Sequence, residues 1–180
     1  DDVIEDFHGG SQLFGGDGND ILTCHANACY LDGGAGNDIL TGGNTGELYG
    51  GAGSDTLTRE LAGGGAGLIQ FLYTYKALSD SGVTAATRDV ITHFSPGGTP
   101  GGNGEFIDLS AIDAKPATNG IDDDFTFIGA NPWGHHAGEL RYLFTATQTI
   151  VEADINGDAK ADFSIALNGH LTLAATDFIL

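Results

Sequence analysis

At 180 residues the chain fits one compact domain, or one domain joined to a stacked repeat segment. Acidic residues outnumber basic ones 25 to 6, and the formal charge of -19 argues against binding nucleic acid or an anionic membrane surface, since both need clustered Lys and Arg. The same balance favours hard cations, which oxygen ligands hold, and the 30 glycines, mostly before Gly104, imply a backbone forced repeatedly into tight turns.

The N-terminal third carries an internal repeat. Gly15-Gly16-Asp17-Gly18-Asn19-Asp20-Ile21-Leu22-Thr23 recurs as Gly33-Gly34-Ala35-Gly36-Asn37-Asp38-Ile39-Leu40-Thr41, and again as Gly50-Gly51-Ala52-Gly53-Ser54-Asp55-Thr56-Leu57-Thr58. Each copy fits the nonapeptide G-G-x-G-x-D-x-U-x, with U a large apolar residue. The glycine half is a loop, because glycine takes φ values that other residues resist. The x-U-x half is a short strand with its apolar residue pointing inward. Two units make one turn of a flattened helix, so Leu13, Leu22, Leu31, Leu40, Leu48 and Leu57 are expected to stack as the interior.

Intervening units are broken. Cys24-His25-Ala26-Asn27-Ala28-Cys29 places Cys29 where the aspartate belongs, and Gly42-Gly43-Asn44-Thr45-Gly46-Glu47-Leu48-Tyr49 is one residue short, with Gly46 at that place. Asp20, Asp38 and Asp55 then form one column, and calcium is expected along that edge only. One ion is expected between the 15–20 and 33–38 loops and another between the 33–38 and 50–55 loops. A further half-site on Gly51, Gly53 and Asp55 requires Gly64-Gly65-Ala66-Gly67 to stack above it. For Cys24 and Cys29 three readings stand: a local disulfide, a zinc site with His25, or two free thiols.

Beyond residue 67 the composition changes. Phe71–Tyr75, Asp89–Thr92, Glu105–Leu109, Phe125–Ile128, Glu139–Phe144, Thr149–Ala153, Phe163–Leu167 and His170–Leu173 read as strands. Pro96–Gly104 reads as a flexible loop. The expectation is an all-β chain: a parallel β-roll over residues 1–67, continued and capped by a β-sandwich-like region over 68–180. Within the cap, Asp154-Ile155-Asn156-Gly157-Asp158-Ala159-Lys160-Ala161-Asp162 spaces oxygen donors at every second position. It matches the start of an EF-hand-like loop, with Lys160 contributing its carbonyl; the other reading is a polar hairpin turn. No run approaches a membrane span and no signal peptide opens the chain; Asp1-Asp2-Val3 reads as a cut inside a longer protein.

These nonapeptides, followed by Asp89-Val90-Ile91 with Phe94, Ile107–Ile112, Phe127-Ile128-Gly129, Gly138–Tyr142 and Asp154–Phe163, resemble the C-terminal region of the RTX (repeats-in-toxin) family. The nearest resemblance is to the C-terminal domain of serralysin-type metalloproteases. It implies several calcium ions. Ligands would be the carbonyls of Gly16, Gly18, Gly33 and Ala35 with Asp20 and Asp38, then those of Gly34, Gly36, Gly50 and Ala52 with Asp38 and Asp55. The ending Asp177-Phe178-Ile179-Leu180 resembles an uncleaved type I secretion signal. The resemblance therefore implies a secreted, extracellular module, covalently linked to an upstream domain and exported by type I secretion machinery.

No HExxH helix or GxSxG elbow is present, and His135-His136 follow Pro132-Trp133-Gly134 in a loop, so the chain reads as non-catalytic. The upstream domain implied is a zinc metalloprotease or an alginate epimerase. An alternative function is an alginate-binding R-type module of a secreted C5-epimerase or lyase, with polysaccharide as partner, or the end-domain of an RTX adhesin. The acidic surface opposes a polyuronate partner.

Overall fold

The computed structural model describes residues 1–60, 70–98, 104–118 and 120–180. Fifteen strands are present among them: β1 (Val3–Asp6), β2 (Gln12–Asp17), β3 (Ile21–Cys24), β4 (Cys29–Ala35), β5 (Ile39–Gly42), β6 (Gly46–Ala52), β7 (Thr56–Arg59), β8 (Gln70–Thr74), β9 (Asp89–Ile91), β10 (Gly104–Asp108), β11 (Thr126–Gly129), β12 (Glu139–Phe144), β13 (Gln148–Asp154), β14 (Phe163–Asn168) and β15 (Phe178–Ile179). Two short 3₁₀ turns, Leu78–Asp80 and Ala175–Asp177, complete the regular structure.

The strands alternate between two facing sheets. One runs β1-β3-β5-β7-β9-β14-β13-β12-β11 and the other β15-β10-β8-β6-β4-β2. Successive repeats land on opposite sheets, so neighbours within a sheet are two units apart and parallel. The register stacks Leu13, Leu31, Leu48 and Tyr73 on one side, and Leu22, Leu40, Leu57 and Ile91 on the other. All but Leu13 are fully buried, and Leu13 packs against the same core.

Parallel pairing continues past the third nonapeptide. β6 pairs with β8 and β8 with β10, while β7 pairs with β9, so both sheets continue from the nonapeptide strands into those of the second half. The antiparallel meander β12-β13-β14 joins the first sheet through β14, which lies parallel to β9. The aromatic core of this half includes Phe71, Tyr73, Tyr75, Phe106 and Phe163, all buried.

His170–Leu173, expected as a strand, is not one. β14 is already paired on both sides, by β13 and β9, so the following segment has no edge to join. It crosses instead to the second sheet, where β15 adds to the edge of β10. The expected stack of Gly64–Gly67 over the 50–55 loop lies outside the described residues, as does most of the loop before Gly104.

The edge turn from Gly42 to Gly46 is tighter than its counterpart from Cys24 to Cys29. Thr23 pairs with Thr41 and Cys29 with Gly46, so the later turn spans one residue fewer between the same two strand positions. A side chain on Gly43 would collide with the carbonyl of Ala26 in the turn below.

Candidate metal centre

The parallel register places Asp2, Asp20, Asp38 and Asp55 just before β1, β3, β5 and β7 and Asp89 at the start of β9, all at one edge of the roll, and hydrogen bonds link these aspartates in series. The Asp20 N–H donates to Asp38 Oδ1 at 2.7 Å, the Asp38 N–H to Asp55 Oδ1 at 2.8 Å, and the Asp55 N–H to Asp89 Oδ1 at 2.8 Å. At the other end the Asp2 N–H donates to Asp20 Oδ1 at 2.5 Å. Beside this column runs a second ladder, in which Asp1, Asn19 and Asn37 side chains accept the N–H of Asn19, Asn37 and Ser54.

One oxygen of each carboxylate is thereby used. The other is not: Oδ2 of Asp20, Asp38, Asp55 and Asp89 is shielded from solvent and has no hydrogen-bond partner. A buried polar atom without a partner costs about 1–3 kcal/mol, and more when charged. Burial pushes the Asp38 carboxyl up, pushes Asp55 up to about 7, and, together with the charge of Asp55, pushes Asp89 up to about 9. The metal-free column is therefore an unfavourable place for ionised carboxylates.

The loops supply the missing complement. A methyl group on Gly15 would overlap Asp20 Oδ2 and the Gly33 carbonyl oxygen, and one on Gly33 would overlap Asp38 Oδ2 and the Gly50 carbonyl oxygen. Each glycine thus leaves a cradle where an unpartnered carboxylate oxygen meets a carbonyl from the next loop. Gly34 and Gly36 have φ of 102° and 141°, and side chains there would collide with the carbonyls of Gly16 and Gly18. Only glycine permits that approach. An oxygen-lined, glycine-walled cradle with a bare carboxylate oxygen fits calcium, a hard cation that takes carbonyl and carboxylate donors.

The structure brings Asp20 together with Gly33, and Asp38 together with Gly50; Gly16, Gly34 and Gly51 stand in register beside them. The carbonyls of Ala35 and Ala52 accept the N–H groups of Gly18 and Gly36 at 2.8 and 2.9 Å. Gly53 lies over the Gly36 carbonyl. Three members of the arrangement escaped the sequence reading: Asp89, Asp2 and Gly15. Asp2-Val3-Ile4 and Asp89-Val90-Ile91 both carry the D-x-U half of the nonapeptide without its glycine half, and that fragment is the signal that identifies them.

On the opposite edge the corresponding positions are Cys29, Gly46 and Phe71, and the next in that row is Glu105, a single buried carboxylate paired with Arg59 rather than a column of bare ones. Cys24 and Cys29 are joined by a disulfide. The ring nitrogens of His25 lie 3.3 Å from Glu5 and 3.1 Å from Glu60, apart from the sulfurs' own contacts.

The loop from Asp154 to Asp162 closes on itself. Asp154 Oδ1 accepts the N–H groups of Asn156 and Gly157, and its Oδ2 accepts that of Ala159. Asn156 donates its amide to Asp162, and Asp158 accepts from both the backbone and the ammonium of Lys160. Every side-chain oxygen of the loop's carboxylates is thus engaged by protein donors, unlike those of the column. Ala159 has φ of 63°, a left-handed conformation costing an L-residue about 1–2 kcal/mol. Ala159→Gly is therefore expected to raise stability by about 1 kcal/mol in urea melts; a lower midpoint would refute the strain.

At the C-terminus Asp177 accepts the N–H groups of Gly97 and Ala174, while Phe178 is buried, 5.2 Å from the Phe127 ring. The His135-His136 loop is tied down through Glu139, which accepts from Gly134 and contacts His136. No helix among the described residues is long and apolar enough to cross a membrane.

Among solved structures, the AlgE6R3 subunit of the Azotobacter vinelandii mannuronan C5-epimerase is similar at 22% identity, covering 99% of this chain and 78% of that one with a TM-score of 0.47. The AlgE6R2 subunit of the same enzyme is similar at 23% identity, covering 98% and 89% with a TM-score of 0.42. A comparison with curated protein sequences finds no significant match. The family model of the peptidase M10 serralysin C terminal matches residues 10–180, nearly the whole chain, and the protein belongs to that family.

Proposed function

We propose that this chain is a non-catalytic, calcium-binding module that folds outside the cell and supports type I secretion and stability of a larger enzyme, a serralysin-like metalloprotease. The observation that carries the reading is the row of four buried carboxylate oxygens without partners, each from the same position of a repeat. A bound calcium ion supplies the positive charge and flexible oxygen shell that such a row lacks. Asp20, Asp38, Asp55 and Asp89 would hold it with the carbonyls of the glycine loops.

Where calcium is scarce the column repels itself, and the chain stays unfolded and fit for export. In that state the terminal residues Asp177–Leu180 are free to be read by the export machinery; once folded, Phe178 is buried and Asp177 is engaged. Where calcium is millimolar, a ligand that binds only the folded state shifts the balance. A site with a dissociation constant near ~10⁻⁴ M contributes roughly 1.4 kcal/mol, and two or three such sites decide a marginal fold. In this reading residues 1–67, joined by Asp89, are the calcium-dependent part, and the rest of 68–180 is the cap that closes it.

The test is a far-UV circular dichroism titration of the metal-stripped chain with calcium. A cooperative gain of β signal between micromolar and millimolar calcium is the expected result. A β signal complete without calcium and unchanged by it would refute the folding role.

A further inference from the structure

The edge of the roll opposite the aspartates carries a second group of ligating side chains, of different chemical character. Asp6 ends β1 directly opposite Cys24, which ends β3, and Cys29 opens β4. The two sulfurs and an Asp6 carboxylate oxygen all lie within 4.8 Å of one another. His8, two residues on, points its Nδ1 at Asp6 Oδ1, 3.2 Å away, and both sulfurs lie 3.8–4.0 Å from its backbone carbonyl. The cysteines are buried, Asp6 is partly exposed, and the His8 side chain is 89% exposed, so the group opens to solvent on one side.

We propose that reduction of the Cys24–Cys29 disulfide turns this corner into a tetrahedral site for a thiophilic divalent cation such as zinc, with Cys24, Cys29, Asp6 and His8 as the four ligands. Two thiolates, one carboxylate and one imidazole match the donors zinc prefers, whereas calcium takes oxygen alone. With zinc–sulfur bonds of about 2.3 Å the sulfurs sit roughly 3.8 Å apart, a small displacement from a disulfide. His25 is not a ligand, because Glu5 and Glu60 hold its two ring nitrogens.

The chemistry balances with a thiol reductant. Two RSH molecules give RSSR while the Sγ–Sγ bond breaks and each sulfur gains a proton. Binding the divalent ion then releases both thiol protons to solvent, and neutral His8 and ionised Asp6 complete the shell. The ion and the disulfide are thus alternative clips for the same turn of the calcium-folded chain: metal where a thiol reductant is present, disulfide in an oxidising medium.

The experiment is an anaerobic cobalt(II) titration of the phosphine-reduced chain in saturating calcium, with circular dichroism on the same samples. One equivalent of cobalt is expected to develop a thiolate-to-cobalt charge-transfer band, which zinc abolishes and the disulfide-bonded chain never shows. Asp6→Asn and His8→Ala are each expected to weaken cobalt binding at least tenfold while leaving the β signal intact. A reduced, folded chain without the band overturns the proposal. So does loss of the β signal on reduction, or a cobalt affinity in both variants equal to that of the parent chain, which would mean a bare dithiol without the other ligands.

Discussion

Asp38→Ala is expected to raise the calcium midpoint for folding by tenfold or more and to lower its cooperativity. Asp38 stands between two neighbours in the column: its N–H donates to Asp55, and its Oδ1 accepts from Asp20. Its free Oδ2 faces the cradle formed with Gly33 and Gly50. Truncation therefore removes a shared ligand and also leaves the buried Asp20 N–H without its acceptor, at about 1–3 kcal/mol. Asp38→Asn separates the two effects, since the amide oxygen keeps the Asp20 bond while the charge is lost. A calcium midpoint in Asp38→Asn equal to that of the parent chain would mean the carboxylate binds no ion. Asp158→Ala, in the self-satisfied loop, serves as the comparison and is expected to leave the midpoint nearly unchanged.

The second large effect concerns the metal-free chain, which is expected to be better folded at pH 5.5 than at pH 8.5. Asp55 and Asp89 have carboxyls pushed up to about 7 and about 9, mainly by burial, from an ordinary value of 3.8. A carboxyl whose folded value lies above its unfolded one binds protons more tightly when folded. Its contribution to stability is fully present below pH 3.8 and is lost as pH rises through about 7 and then about 9. In this column a proton does in weak acid what the cation does at neutral pH, neutralising an oxygen that the protein leaves bare. Saturating calcium is expected to reverse the order, because the ion competes with protons for the same carboxylates. The check is a set of urea melts at the two pH values, with and without calcium. Equal metal-free midpoints would show that the carboxyls of Asp55 and Asp89 are not raised inside the fold.

How far the sequence reveals this arrangement depends on whether a repeat is whole. The three intact nonapeptides define the leucine stack and the Asp20, Asp38 and Asp55 positions, because a parallel roll converts a sequence period directly into spatial register. Asp89 was not legible in the same way: 34 residues separate it from Asp55, and the glycine half that marks the other repeats does not precede it. Asp154–Asp162 shows how spacing by itself leaves two readings open. Alternating donors suit a cation, yet the same short carboxylates and amides satisfy one another when the turn is tight. The strand expected at His170–Leu173 had adequate local propensity. What it lacked was a free sheet edge, and that is decided by residues far away in the chain.

The short turn at Gly42–Gly46 bears on how such a chain tolerates changes in length. Asp20 and Asp38 are 18 residues apart and Asp38 and Asp55 are 17 apart, yet the hydrogen bonds that join them measure 2.7 and 2.8 Å. The one-residue difference is taken up entirely at the edge away from the aspartate column, where Cys29 faces Gly46. That margin can lengthen or shrink over generations, and it is also where a protein engineer has room to graft a foreign peptide. The opposite margin, with its aspartates in series, admits no such editing: one residue gained or lost there would put every later carboxylate out of step.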